Sequence, residues 1–172
     1  MAGDLELRPL RREDDRSGFR CGNPVLDRFF EQYAGQNQFR LHVAVTHVAV
    51  LEGRIVGYAT LSGGTLERPS LPDERLRRRL PAYPLPVVRL ARLAVDQRAQ
   101  GHGIGRALLR HALHVALAQR ETLGCVGLVV DAKPQAVTFY HALGFVPLEG
   151  VQGLEPDEPR PVFLALETVA GA

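Results

Sequence analysis

Gln100-Gly101-His102-Gly103-Ile104-Gly105 is the stretch on which the reading of this chain turns. Three alternating glycines follow an apolar, strand-like run from Val87 to Val95 and precede a helix-like run from Arg106 to Leu123. Glycine at a strand-to-helix junction lets backbone N–H groups close around an anion without interference from Cβ atoms. The start of a helix is electropositive, which suits the same ligand. The junction therefore predicts a phosphate-bearing ligand. The bland alternative is a glycine-rich turn with no ligand.

Two familiar phosphate loops do not fit. The nucleoside-triphosphate loop needs Lys-Ser or Lys-Thr after its last glycine, and Arg106-Ala107 stands there. The dinucleotide fingerprint counted from Gly101 needs a glycine where Arg106 is, and an acidic residue at a strand end about 20 positions on. Glu121 has that spacing but lies in the helical run. What remains is Q/R-x-x-G-x-G/A, met by Gln100-x-x-Gly103-x-Gly105 and, shifted, by Arg98-x-x-Gly101-x-Gly103. That pattern resembles the pyrophosphate loop of the GNAT family of N-acetyltransferases. A second stretch, Asp131-Ala-Lys133-Pro-Gln-Ala136-Val-Thr-Phe139-Tyr140-His-Ala-Leu-Gly144-Phe145, resembles that family's N-x-x-A-x-x-F-Y-x-x-x-G-F motif, with Lys133 in place of the asparagine. Ala136, Phe139, Tyr140 and Leu143 also follow the spacing of a buried helix face, so core packing is the competing reading.

The resemblance implies acetyl-coenzyme A as co-substrate and an α/β fold: a mixed sheet whose central parallel strands splay, flanked by helices. It implies that Arg98, Gln100, Gly101, His102, Gly103, Ile104, Gly105 and Arg106 surround the pyrophosphate. Backbone groups of Leu93, Ala94 and Val95 would hold the pantetheine arm, with Lys133 and Phe139 also at the cofactor. Tyr140 would protonate the departing thiolate, and a phenol with an ordinary pKa near 10 arrives protonated.

The chain's 172 residues suit one domain, 1–172, large enough to bury about 70% of its unfolded surface. Residues 67–86 hold five of its twelve prolines and read as an internal insertion carrying a short helix from Pro72 to Leu80. Elsewhere the patterning predicts a strand over Leu5–Leu10, a helix opening at Asn23-Pro24, and a hairpin of Val43–Leu51 with Ile55–Ser62. Beyond the glycine loop it predicts a strand over Val126–Asp131, a helix over Gln135–Leu143, and closing strands near Phe145 and Val162–Glu167. No apolar run reaches 18 residues and no secretory signal is evident, so a membrane span is not expected and the cytoplasm is. Cys21 and Cys125 form neither a disulfide framework nor a zinc pattern, and the six scattered histidines give no ligand set, so no metal is expected.

Charge is uneven although the net is only +2. Arg68–Arg98 carries eight arginines and three acids, and 149–172 carries five acids and one arginine. Such runs are often plain solvated faces, yet arginine also pairs well with phosphate. The strand Val88-Arg89-Leu90-Ala91-Arg92-Leu93-Ala94-Val95 lacks the glutamate that many GNAT relatives use to deprotonate the amine. Asp96 and Asp131 are open to two roles, base or strand-end cap. An α-amine, with a pKa of about 7.7–8.0 that esterification lowers further, needs little help, whereas a lysine near 10.4 needs a base. An ester-linked α-amine beside a polyanion describes aminoacyl-tRNA.

Phe19-Arg-Cys21-Gly22-Asn-Pro-Val-Leu26-Asp27 and Arg89-Leu-Ala-Arg92-Leu-Ala-Val-Asp96 resemble the signatures of acetyltransferase toxins from bacterial toxin–antitoxin modules. That resemblance implies acetylation of charged tRNA, a homodimer, and a ribbon-helix-helix antitoxin as partner. Arg77, Arg78, Arg79, Arg89 and Arg92 are then expected to contact tRNA. Two alternatives stand beside it: a GNAT enzyme acting on a small amine or protein N-terminus, and a non-catalytic, arginine-rich RNA-binding module.

Overall fold

The computed structural model describes residues 3–148 and 158–169, so part of the acidic stretch 149–172 lies outside the described residues. In chain order the elements are β1 (Glu6–Pro9), α1 (Pro24–Arg28), β2 (Val45–Leu51), β3 (Arg54–Leu66), α2 (Glu74–Arg79) and β4 (Leu85–Val95), followed by α3 (Ile104–Thr122), β5 (Gly127–Ala132), α4 (Val137–Ala142), β6 (Val146–Pro147), β7 (Arg160–Ala165) and α5 (Leu166–Val169). The strands make a seven-stranded mixed sheet in the order β1-β2-β3-β4-β5-β7-β6. The chain divides into two compact units, Met1–Ser62 with Leu90–Ala112 and Gly63–Arg89 with Leu113–Ala172.

In the first unit, β1 and β2 pair antiparallel, and β2 and β3 form the expected hairpin. Its turn places Glu52 (φ 51°) and Gly53 (φ 76°) in the left-handed region. Asn23 caps α1 as its side chain predicts, accepting from the N–H groups of Val25 and Leu26 at 3.0 and 3.3 Å. Beyond Arg28 the helix widens into π-turns at Phe29–Tyr33 and Gln36–Arg40. One cause is visible at the carbonyl of Phe30. The guanidinium of Arg16 donates to it at 2.9 Å, and the Ala34 N–H bonds instead to Phe29 O. Of the apolar face that Val25, Leu26, Phe29, Phe30 and Tyr33 predict, Phe29 and Phe30 are buried with Phe19, Tyr58, Val48 and Ala94 and Leu26 packs against them, whereas Val25 and Tyr33 are exposed. The rings of Phe30 and Tyr58 stack at 4.6 Å.

In the second unit, Leu66, Leu71, Leu76, Leu85, Val87, Val129 and Phe163 form the core. The short helix of the proline-rich segment is α2, capped by Asp73, whose carboxylate accepts from Arg75 N–H at 2.9 Å. β5 pairs antiparallel with β7, and β7 with the two-residue β6. Gly127 permits a close strand approach, because a Cβ there would meet Leu164 O at 2.7 Å and the Phe163 ring closer still. The expected final strand to Glu167 ends at Ala165, and Leu166–Val169 turns into α5. Residues 134–136 form a 3₁₀ turn, so the helix expected from Gln135 begins at Val137.

Candidate functional site

The glycine loop belongs to the first unit, and its conformation follows from its composition. Gly101 and Gly103 have φ of +84° and +79°, and a Cβ built on either finds no atom within 4 Å. Conformation, not crowding, demands glycine at both places. The loop therefore presents open backbone toward solvent. Ala107 N–H is bonded to Gly103 O at 3.0 Å. As at any helix start, Ile104, Gly105 and Arg106 have no carbonyl one turn back within the helix. A 19-residue helix with free N–H groups behind two open glycines is a suitable cradle for a diphosphate.

The loop is anchored from below by the Phe19–Asp27 segment. Asp96 N–H bonds to Val56 O and Gln97 N–H to Arg20 O, both at 2.8 Å. The Asp96 carboxylate, only 2% exposed, accepts from the N–H groups of Arg20 and Arg98 at 3.2 and 3.0 Å and from the Arg98 guanidinium at 3.1 Å. Burial works to raise its pKa, but those hydrogen bonds outweigh it and hold the carboxyl below its ordinary range. Of the two roles left open, the geometry gives Asp96 the capping one. Gln100 likewise spends its side-chain amide on protein, donating to Cys21 O at 3.1 Å and Val95 O at 3.0 Å. Gly22, with φ of +96°, lies where a Cβ would meet the Gln97 side chain at 3.0 Å. Asp27 accepts from Cys21 N–H at 2.9 Å. The Phe-x-Cys-Gly signature thus braces the loop. His102 and Arg106 are exposed, and Ile104 is buried.

Leu93 and Val95 are half-buried and Ala94 is buried at the C-terminal end of β4. Gly57 of β3 brings α3 close: a Cβ there would meet Ile104 and Leu108 at 3.0 Å and Ala94 O at 3.1 Å. Arg92 lies with its guanidinium carbon 3.7 Å from the centroid of the Phe29 ring. Tyr58 donates its hydroxyl proton to Leu26 O at 2.8 Å. Burial pushes that phenol far above its ordinary pKa, with Cys21 adding and Arg92 opposing.

In the second unit, Tyr140 is 4% exposed and sits edge-on to Phe139 and Phe145 at 5.1 and 5.5 Å. Its hydroxyl makes no hydrogen bond to protein among the described residues, and the oxygen is not sealed away from water although the ring is buried. Burial raises its pKa to about 12. Lys133 precedes the 3₁₀ turn and makes no side-chain cap hydrogen bond there. Arg89 donates to Asp131 at 2.6 Å, each side chain about a third exposed. Neither role expected of this pair from the sequence, RNA contact or base, is free of the other partner.

The arginines of α2 also differ from one another. Arg78 pairs with Glu74 at 2.6 Å and Arg79 with Glu167, whereas Arg75 and Arg77 have no ion-pair partner among the described residues. The structure also reveals what no sequence signal announced, a His111 Nε2–His47 Nδ1 contact of 2.8 Å between α3 and β2. Among the described residues no group of three or more His, Cys, Asp or Glu side chains could hold a metal. No helix among them is long and apolar enough to cross a membrane.

A glycine-rich start to α3 in one unit and a buried Tyr140 ring on α4 in the other are the features expected of an acyltransferase. The acetyltransferase (GNAT) domain matches residues 42–147, and the chain belongs to that family. It is 34% identical over 171 residues to a tRNA-acetylating toxin of Mycobacterium tuberculosis (strain ATCC 25618 / H37Rv), covering 97% of this chain and 95% of that protein. Among solved structures it resembles AtaT complexed with acetyl-methionyl-tRNAfMet, with a TM-score of 0.85, 29% identity, and coverage of 97% and 98%. It also resembles a mutant AtaT toxin bound to the C-terminus of the antitoxin AtaR and acetyl-CoA, with a TM-score of 0.74, 27% identity, and 96% of each chain covered.

Proposed function

We propose that this chain is an acetyl-CoA-dependent N-acetyltransferase that blocks translation by acetylating the α-amine of aminoacyl-tRNA. The observation that carries the reading is end-to-end likeness, at a TM-score of 0.85, to a protein solved with acetyl-methionyl-tRNA. Acetyl-CoA supplies an activated acyl carbonyl. The open glycines 101 and 103 and the start of α3 fit its diphosphate, with Arg106 exposed beside them. Backbone groups of Leu93–Val95 hold the pantetheine arm as an added strand would.

Tyr140 acts as the acid. Its proton is retained well past neutrality, and its hydroxyl has no competing partner among the described residues. The amine nitrogen forms the new C–N bond as the thioester C–S bond breaks, Tyr140 gives its proton to the departing sulfur, and the proton leaving the nitrogen passes through water and restores the phenol. Asp96 and Asp131 are engaged by Arg98 and Arg89, so the chemistry favours an amine that arrives neutral. An esterified α-amine meets that requirement at physiological pH.

The whole of 1–172 acts as one catalytic domain, with 67–86 as an insertion that brings the arginines of α2 to the RNA. The protein works in the cytoplasm, where charged tRNA is found, as a homodimer held in check by a ribbon-helix-helix antitoxin. Incubation with labelled acetyl-CoA and charged tRNA should place label on the aminoacyl end. Label appearing only on free amines or protein N-termini, with none on tRNA, would overturn the reading. Tight RNA binding without any acetyl-CoA affinity would replace it with the non-catalytic one.

A further inference from the structure

β4 carries two arginines that the sequence treats alike, and the structure separates them. Positions 89 and 92 are three apart, so in an extended strand their side chains leave opposite faces. Arg89 shares the parity of Val87, a member of the core that includes Val129 and Phe163. Arg92 shares the parity of Ala94, which packs in the core with Phe29 and Tyr58.

Their charges also differ in availability. Arg89 is neutralised by Asp131 through a hydrogen bond of 2.6 Å. Its stem passes Gly64 of β3, where a Cβ would meet Arg89 Nε at 3.8 Å. Arg92 is half-buried with the Phe29 ring against its face and has no carboxylate partner among the described residues. A ring face occupies none of the five N–H donors, which radiate in the guanidinium plane. A half-buried cation without a counter-charge is costly unless an anion completes it. Arg92 is thus positioned and oriented, and among the described residues its donors are unspent.

We propose that Arg92, stacked over Phe29, is the β4 residue that binds a phosphate of the RNA substrate, while Arg89 clasps β4 to Asp131 and makes no RNA contact. The assignment rests on the aminoacyl-tRNA reading given above and adds to it the residue and the face that take the RNA. Phe29 is a positioning residue: it sets the direction of the guanidinium and touches no substrate.

The test compares binding of uncharged tRNA by the wild type, Arg92→Gln, Arg92→Lys, Arg89→Gln and Phe29→Leu across a salt series. Loss of one phosphate contact should lower the slope of log affinity against log salt by about 0.7–0.9 and weaken binding roughly tenfold. Arg92→Gln should do both. Arg92→Lys should keep most of the slope while losing part of the affinity, and Phe29→Leu should resemble Arg92→Lys. Arg89→Gln should keep the wild-type slope and melt at a lower temperature. Calorimetry with coenzyme A should give the wild-type affinity for Arg92→Gln, which separates an RNA phosphate from the cofactor's own. The assignment is overturned if Arg92→Gln retains the full slope, if Arg89→Gln lowers it equally, if coenzyme A binding is what weakens, or if the wild type binds no tRNA. Binding as expected by a wild type that transfers no acetyl group would instead sink the functional reading and leave the phosphate contact standing.

Discussion

Replacing Tyr140 by phenylalanine separates catalysis from packing, because the structure predicts opposite results for the two. The ring is buried edge-on between Phe139 and Phe145, and phenylalanine keeps every one of those contacts. The hydroxyl makes no hydrogen bond among the described residues, so its removal should change stability by no more than about 0.5 kcal/mol. A core hydroxyl satisfied by protein would cost about 1 kcal/mol to lose. Turnover should fall roughly 10²- to 10⁴-fold, the usual range for a general acid and equivalent to about 3–5 kcal/mol at the barrier. The pH profile adds a second signature. Burial lifts the Tyr140 pKa from 10.0 to about 12, so the acid form persists across the range in which the substrate amine loses its proton. The wild-type kcat/KM for aminoacyl-tRNA should rise with amine deprotonation and show no decline from Tyr140 below about pH 11. Linkage gives the matching stability effect. A folded pKa raised above the unfolded one supplies stability that is complete below pH 10.0 and lost as pH rises through about 12. Tyr140→Phe should lack that loss. Stopped assays of acetyl-tRNA formation, paired with thermal melts of both proteins, measure all of this. A variant that keeps more than about a tenth of wild-type turnover would refute the acid role.

Other consequences are as direct. Gly127→Ala should lose roughly 1–3 kcal/mol in urea unfolding, because its Cβ would collide with the Phe163 ring and Leu164 O; wild-type stability would contradict that close approach. His47 is 8% exposed, and burial, assisted by the charge of His111, lowers its pKa from 6.5 to about 4. The folded state therefore resists protonation, and stability should fall as pH drops from 6.5 through 4, by on the order of 3 kcal/mol in full. Urea midpoints across that range should flatten in His47→Gln, and an unchanged acid dependence would assign the effect elsewhere. Changing Arg75 and Arg77 together to glutamine should reduce the salt slope of tRNA binding by about one to two. Changing Arg78 and Arg79 should reduce it less, since Glu74 and Glu167 already offset those charges; equal slopes would show that the pairing is irrelevant to RNA.

Local chemistry made much of the framework legible. Asn23 and Asp73 cap helices because an Asn or Asp side chain ahead of helical residues has orphan N–H groups to satisfy. The hairpin at Glu52-Gly53, and the glycines with positive φ at 101 and 103, follow from the backbone freedom of those residue types. The π-turn at Phe29–Tyr33 leaves no trace in the sequence, since its visible cause is Arg16 reaching a carbonyl fourteen positions away. The end of the last strand is not legible either: Leu166 and Glu167 continue the apolar and polar alternation but turn into α5.

By itself the sequence determined which groups this protein carries: glycines at a helix start, a phenol in an aromatic setting, and arginine as the nearly universal cation. Those are properties of residue types at short spacing, and short spacing survives folding. Only the tertiary structure decided which charges remain available. Arg89 meets Asp131, forty-two positions away, and is spent, while Arg92 meets Phe29 and is not. Asp96 is claimed by Arg98 and by a backbone N–H seventy-six positions distant, and Gln100 by carbonyls on either side of the loop. Whether a charged group is free depends on what the fold brings within 3 Å of it, and pairings of that sequence separation leave no periodic trace in the chain.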